Sequence, residues 1–271
     1  HCIENTGGFF IAVAGDDEKY IADYPGFCDR SGIPCKQIDV KDALELEPEL
    51  SPKTIAVYEV EDATIDPFRI SLENITQAQK NGTQLMRNTK VIRFQVAHKK
   101  IERVHTKNTT TGEEHIIEAE QVVNAAGAWA QPVAAMAGVT LPINTWRHDV
   151  MYVRNPQSMP EHSLAVIDNI RSMYFRPETG GLTLVGLEDD NPLGESPDGY
   201  TDRAQPGFVE RAIDRICERI PAMEEGDLHS DNGGYDGISE DQRAVLGQIG
   251  PEGFYVQCGF SGTGFKIAPA V

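Results

Sequence analysis

Apolar and polar positions alternate in three ways along the chain, and each predicts a different element. Dense apolar runs bounded by turn residues predict buried strands: Gly8–Val13 (GFFIAV), Gln121–Asn124 (QVVN) and Gly253–Cys258 (GFYVQC). Period-two stretches rich in β-branched residues, at 90–96, 101–106 and 114–118, predict an antiparallel meander. Its turns fall at Lys99–Lys100 and between Thr109 and Gly112. A second strand-rich region holds Arg147–Val153 and a hairpin, Ser172–Pro177 and Leu182–Gly186, around Glu178–Gly181. Helical spacing appears twice. Phe68, Leu72, Ile75 and Gln79 share a face after Asp66 as N-cap and Pro67 at the first helical position, and Asn81–Gly82 ends the run. Val209, Ala212, Ile213, Ile216, Cys217 and Ile220 form a stripe opposite Glu210, Arg211, Asp214, Arg215, Glu218 and Arg219, predicting a helix that covers a sheet with its charges in water. An acidic stretch from Asp16 starts another helix that Pro25–Gly26 is expected to disturb, and 189–202 reads as a loop.

With 271 residues and 40% hydrophobic content the chain can bury a substantial core. No apolar run approaches the roughly 18 residues that cross a bilayer. A net charge of −18 argues against a nucleic-acid-binding surface. Five cysteines without a Cys-x-x-Cys pair, and seven scattered histidines, provide neither a disulfide framework nor a metal site. The expectation is a soluble, cytoplasmic protein with reduced thiols. Association with a partner subunit or a second copy stays open.

Two bends carry candidate chemistry. Val122-Val-Asn-Ala-Ala-Gly127 describes a strand ending where its backbone comes close to something. The last strand runs into Gly259, Gly262 and Gly264, after which small and apolar residues resume with helical spacing. Such a strand-turn-helix is expected to present N–H groups to a flat or anionic ligand, with Lys266 in the first turn of the helix. No Gly-x-Gly-x-x-Gly dinucleotide fingerprint is present.

Gly259-Phe-Ser-Gly-Thr-Gly-Phe-Lys266 resembles the segment that lies against the flavin ring in the FAD-dependent amine oxidoreductases, the family of sarcosine oxidase, glycine oxidase and D-amino acid oxidase. It departs at Thr263, where that family often has histidine. Val122-Val-Asn-Ala-Ala-Gly-Ala-Trp129 is similar to the family's second dinucleotide contact. The resemblance implies FAD contacts at Val91, Ala125, Ala126, Gly127, Trp129, Gly259, Phe260, Ser261, Gly262, Thr263, Gly264, Phe265 and Lys266, with Lys266 stabilising negative charge on the reduced ring. The hairpin resembles the sheet that covers the flavin in sarcosine-oxidase-type proteins. Tyr174, Arg176 and Tyr235 are then substrate contacts, the arginine suiting a substrate carboxylate. Gly233 stands where monomeric sarcosine oxidase has its flavin-linking cysteine, which implies non-covalent FAD, and Gly237-Ile-Ser239 lacks the arginine by which glycine oxidase holds its substrate.

Residues near the start, His1–Gly8, Ile38–Asp39, Ala43–Leu44, Glu47–Pro48 and Asp66–Arg69, are similar to the FAD subunit of anaerobic glycerol-3-phosphate dehydrogenase, over roughly the first eighty residues. The fold implied is a mixed α/β one (α+β mix). A partial Rossmann-like FAD-binding domain (66–141 and 236–271), lacking its first βαβ unit, would interleave with an antiparallel-sheet substrate domain (1–65 and 142–235). The expected function is oxidation of the C–N bond of a secondary or N-methylated amino acid. The alternatives are glycerol-3-phosphate oxidation and a silent fragment.

Overall fold

The computed structural model describes residues 3–159, 165–189, 191–198 and 201–271, so His1, Cys2 and parts of the 189–202 loop lie outside it. In chain order the elements are β1 (Ile3–Glu4), β2 (Gly8–Val13), α1 (Glu18–Arg30), β3 (Cys35–Ile38), α2 (Val40–Leu46), β4 (Thr54–Val60), β5 (Thr64–Ile65) and α3 (Pro67–Lys80). There follow β6 (Thr89–Ala97), β7 (Lys100–Asn108), β8 (Glu114–Glu118), β9 (Val122–Asn124), α4 (Ala130–Ala135), β10 (Ile143–Arg154), β11 (Val166–Asp168), β12 (Met173–Glu178) and β13 (Leu182–Leu187). The chain closes with α5 (Phe208–Arg219), β14 (Asp227–Ser239), β15 (Val245–Gln248), β16 (Phe254–Cys258) and α6 (Gly264–Ile267). It forms two compact units, one of His1–Asp66, His148–Asp190 and Thr201–Gly234, the other of Pro67–Arg147, Asn191–Tyr200 and Tyr235–Val271.

The first unit is built on a mixed sheet in which β13, β12, β11, β2, β4 and β3 lie side by side, antiparallel except where Val166 of β11 runs parallel to Phe9 of β2. Gly8–Val13 is apolar on every residue because both sides of β2 are covered. Ile11 joins Val57, Val153, Phe175 and Val185 against Phe208, Ala212 and Ile216 of α5. Phe10 and Ala12 point the other way, to Tyr20, Ile21 and Tyr24 of α1, where the Phe10 and Tyr24 rings stack at 4.1 Å.

Two expectations are corrected in this unit, and one strand was not foreseen. Helix α1 runs unbroken through Pro25, starting from Asp17, whose side chain accepts the N–H groups of Lys19 and Tyr20; the aromatic packing of Tyr20 and Tyr24 outweighs the proline. Strand β4, which pairs with both β2 and β3, left no clear sign in the sequence. Arg219 is not a solvated charge but 0% exposed. Its Nε donates to Asp168 at 2.8 Å and its Nη2 lies 2.9 Å from Asp16. Burial raises the Asp168 carboxyl above the usual carboxylate range, against the pull of Arg219.

The second unit contains two three-stranded sheets: the antiparallel meander β6-β7-β8, and β15-β16-β9, in which β16 and β9 are parallel. Its core joins Phe94, Ile101 and Val104 of the meander to Phe254 and Val256 of β16 and Ala130 and Ala134 of α4. Helix α3 forms as the spacing predicts, but its apolar face is not buried among the described residues: Phe68 is 76%, Leu72 53% and Ile75 40% exposed.

Candidate functional site

The parallel pairing of β9 and β16, Val122 opposite Phe254 and Asn124 opposite Val256, brings the carboxyl ends of both strands to one edge of their sheet. The two glycine- and alanine-rich bends therefore start side by side. Asn124, 3% exposed, shapes the first: its Nδ2 donates to the Ala130 carbonyl at 2.8 Å and its Oδ1 accepts the Ala126 N–H at 3.2 Å. Gly127 opens the following 3₁₀ turn at φ +54°. In the second bend Gly259 has φ +68°, and a Cβ there would fall 2.8 Å from Ile143. Gly237, near the end of β14, approaches both, since a Cβ on it would lie 3.5 Å from the Gly127 carbonyl oxygen and from the Gly259 nitrogen. Ala125, Gly127, Asp236, Gly237, Gly259 and Phe260 help to line one cavity of about 200 Å³.

The loop after β16 is strapped to the end of β14. The Ser261 N–H donates to the Gly237 carbonyl at 3.0 Å, and the Ser261 hydroxyl accepts the Ser239 N–H at 3.2 Å. Thr263 turns both its N–H and its hydroxyl onto the Phe260 carbonyl, at 3.0 and 2.6 Å. The Gly262 N–H donates to Asp236 Oδ2 at 2.9 Å, and the Gly237 N–H to Asp236 Oδ1 at 2.8 Å. Of the amides that this loop was expected to offer a ligand, those of Ser261, Gly262 and Thr263 are held internally. The expected helix is also shorter. Helix α6 has four residues before a 3₁₀ turn at Ala268–Ala270, too short to build much of a macrodipole. Lys266 is exposed on it, and Gly264 admits the Phe260 side chain, 2.9 Å from where a Cβ would sit.

Of the remaining expected contacts, Trp129 donates its indole N–H to Asp198 at 2.9 Å. Val91 packs against the core of the second unit and does not line the cavity. Tyr235 donates its hydroxyl to Glu195 at 2.7 Å, under the Arg147 guanidinium 5.6 Å from its ring centre; burial and Glu195 raise its pKa. Asp236 and Asn124 were missed. Their signal was weak: a carboxylate beside a glycine near a strand end, and one amide inside an apolar strand.

Tyr174 and Arg176 belong to the first unit. They share one side of β12 while Met173 and Phe175 enter the core on the other. Gly186 on β13 is opposite Tyr174, and a Cβ there would fall 2.2 Å from the tyrosine ring. Burial pushes the Tyr174 hydroxyl up to about 12, with Glu188 and Tyr152 adding to the shift. Arg176 forms an ion pair with Glu178 of the same strand.

The whole chain, residues 1–271, matches the family model described as DAO, FAD dependent oxidoreductase. The chain belongs to this DAO family. Among DAO relatives, it is 33% identical over 141 residues to an anaerobic glycerol-3-phosphate dehydrogenase subunit of Escherichia coli (strain K12), covering 52% of this chain and 26% of that protein. That likeness reaches well past the eighty residues expected. It is 29% identical over 224 residues to the mitochondrial sarcosine dehydrogenase of Mus musculus, covering 78% of this chain and 23% of that protein. The crystal structure of L-proline dehydrogenase from P.horikoshii superposes with a TM-score of 0.81 at 25% identity, over 99% of this chain and 70% of that one. The chain thus spans about a quarter of the length of these two curated relatives. No helix among the described residues is long and apolar enough to cross a membrane.

Proposed function

We propose that the complete protein oxidises the C–N bond of a secondary or N-methylated amino acid, with FAD held non-covalently. In this reading the second unit binds the cofactor and the first binds the substrate. The observation that carries it is the convergence of the two bends at the carboxyl ends of β9 and β16, the edge of a parallel pair where ligands of open α/β sheets settle. The lining fits a flat ring approached edge-on: Gly127, Gly237 and Gly259 leave bare backbone, Ala125 adds only a methyl, and about 200 Å³ admits part of a dinucleotide rather than all of it.

When bound, FAD supplies two-electron acceptance. Gly259 and Gly127 would hold the cofactor's edge, and the ammonium of Lys266 would offset negative charge there. Arg176 would pair with the substrate carboxylate on release from Glu178, and Tyr174, on the same side of β12, would orient the amine. The sarcosine dehydrogenase relative and the proline dehydrogenase structure both favour a secondary amino acid. The glycerol-3-phosphate dehydrogenase likeness supports a second reading, oxidation of an alcohol carrying a phosphate.

Turnover of the complete protein with sarcosine, L-proline and glycerol-3-phosphate, followed with an artificial electron-accepting dye, decides between them. An amino acid turned over at least about tenfold faster than glycerol-3-phosphate is the expected result. The reverse order would establish the second reading.

A further inference from the structure

Residues 192–198, in the stretch that reads as a loop, are fastened along the second unit. Leu193 makes an antiparallel bridge to Trp146 of β10. On either side of it the Arg147 N–H donates to the Pro192 carbonyl at 3.0 Å and the Gly194 N–H to the Thr145 carbonyl at 2.9 Å. The Thr145 hydroxyl donates to the Glu195 carbonyl. Beyond this backbone seam two carboxylates take donors from aromatic side chains: Glu195 accepts the Tyr235 hydroxyl at 2.7 Å, and Asp198 accepts the Trp129 indole N–H at 2.9 Å. Pro197, between them, is buried. The Arg147 guanidinium lies over the Tyr235 ring, 5.6 Å from its centre, and fixes the direction in which the hydroxyl points.

Both aromatic donors sit beside the cavity. Trp129 follows Gly127 by two residues and Tyr235 immediately precedes Asp236, and Gly127 and Asp236 both line it. The cavity walls come from separate stretches of chain, at 125–127, 236–237 and 257–260. They meet largely through glycine backbone, which has no side chain to interlock. Asp236 ties the second wall to the third through the Gly262 N–H. The brace formed by 192–198 ties the first wall to the second. We propose that Glu195 and Asp198 are positioning residues for the flavin: through Tyr235 and Trp129 they hold two walls of the cavity at the spacing that grips the cofactor. This rests on reading that cavity as the FAD site. The chemistry of the two bonds suits a fixed spacer. An ionised carboxylate only accepts and an indole N–H only donates, so the Trp129–Asp198 bond cannot reverse, and charge-assisted bonds of this kind are stronger than neutral ones. Neither carboxylate needs to touch the flavin for its loss to loosen the grip.

The test uses the complete protein, stripped of flavin and titrated with FAD, with hydrogen exchange of the apoprotein read peptide by peptide. The double variant Glu195→Ala/Asp198→Ala should bind FAD about tenfold more weakly and exchange its amides faster around 125–129 and 235–237. Glu195→Gln/Asp198→Asn keeps a carbonyl acceptor at each point and should recover most of the affinity, which a role in attaching the loop alone would not require. Ala125→Phe fills the cavity from an exposed position and should abolish FAD binding. If it does so while the double alanine variant binds FAD as the wild type does, the brace is overturned and the cavity assignment stands. Wild-type affinity in both variants would overturn the cavity assignment and the brace with it.

Discussion

Asp236 accepts two backbone amides with its two carboxylate oxygens, and one of them belongs to Gly262 in the loop that shapes the cavity. Replacing it with alanine should free that loop without touching the core. The complete Asp236→Ala protein should bind FAD about tenfold more weakly, equivalent to roughly 1.4 kcal/mol, while Asp236→Asn retains part of the affinity. Titration of the apoprotein with FAD measures this, and unchanged affinity in Asp236→Ala would remove the carboxylate from the account. Gly186 makes a second residue-scale prediction. An alanine there collides with the Tyr174 ring, so Gly186→Ala should cost about 1–3 kcal/mol in denaturant unfolding, and adding Tyr174→Ala should recover most of the loss. The two bends were legible as motifs, Val122–Trp129 and Gly259–Lys266. The side chains that hold them, Asn124 and Asp236, were not, because each acts on an amide that chain order does not single out.

Helix α5 shows where the reading of elements fails. Its apolar stripe, its length and its role as cover for a sheet all follow from spacing, and Phe208, Ala212 and Ile216 are buried as the stripe demands. Arg219 breaks the pattern, since its partners Asp16 and Asp168 lie about two hundred and about fifty residues away along the chain; periodicity carries no information about such a partner. Arg219→Met should leave buried Asp168 without its counter-charge and Asp16 with only Arg171, 3.9 Å away, and cost about 3–5 kcal/mol in urea unfolding. A loss under 1 kcal/mol would mean that the cluster contributes little to holding α5 on the sheet. Strand β4 was illegible for a different reason. It pairs on both sides, but it follows Lys53 and carries Glu59 among its apolar residues, so its period-two signal is faint.

At the scale of the molecule, neither unit is a continuous stretch of chain, because each is assembled from three separate segments. The resemblance to FAD-dependent amine oxidoreductases implied a mixed α/β fold, and the 0.81 TM-score to a solved dehydrogenase agrees. The sequence was less informative about substrate, because the dehydrogenases it resembles act on different molecules. If Arg176 binds the substrate carboxylate, Arg176→Ala in the complete protein should raise KM for the amino acid at least about tenfold and change kcat little. Steady-state kinetics would show this, and an unchanged KM would reassign the carboxylate site.

The wet face of α3 has a practical consequence. Phe68, Leu72 and Ile75 make an oily stripe on an otherwise strongly acidic protein. The 271-residue chain on its own should brighten an environment-sensitive fluorophore and turn cloudy as it is concentrated in high salt, once its mutual repulsion is screened. Glutamate at Phe68 and Leu72 should quench the glow and keep the solution clear.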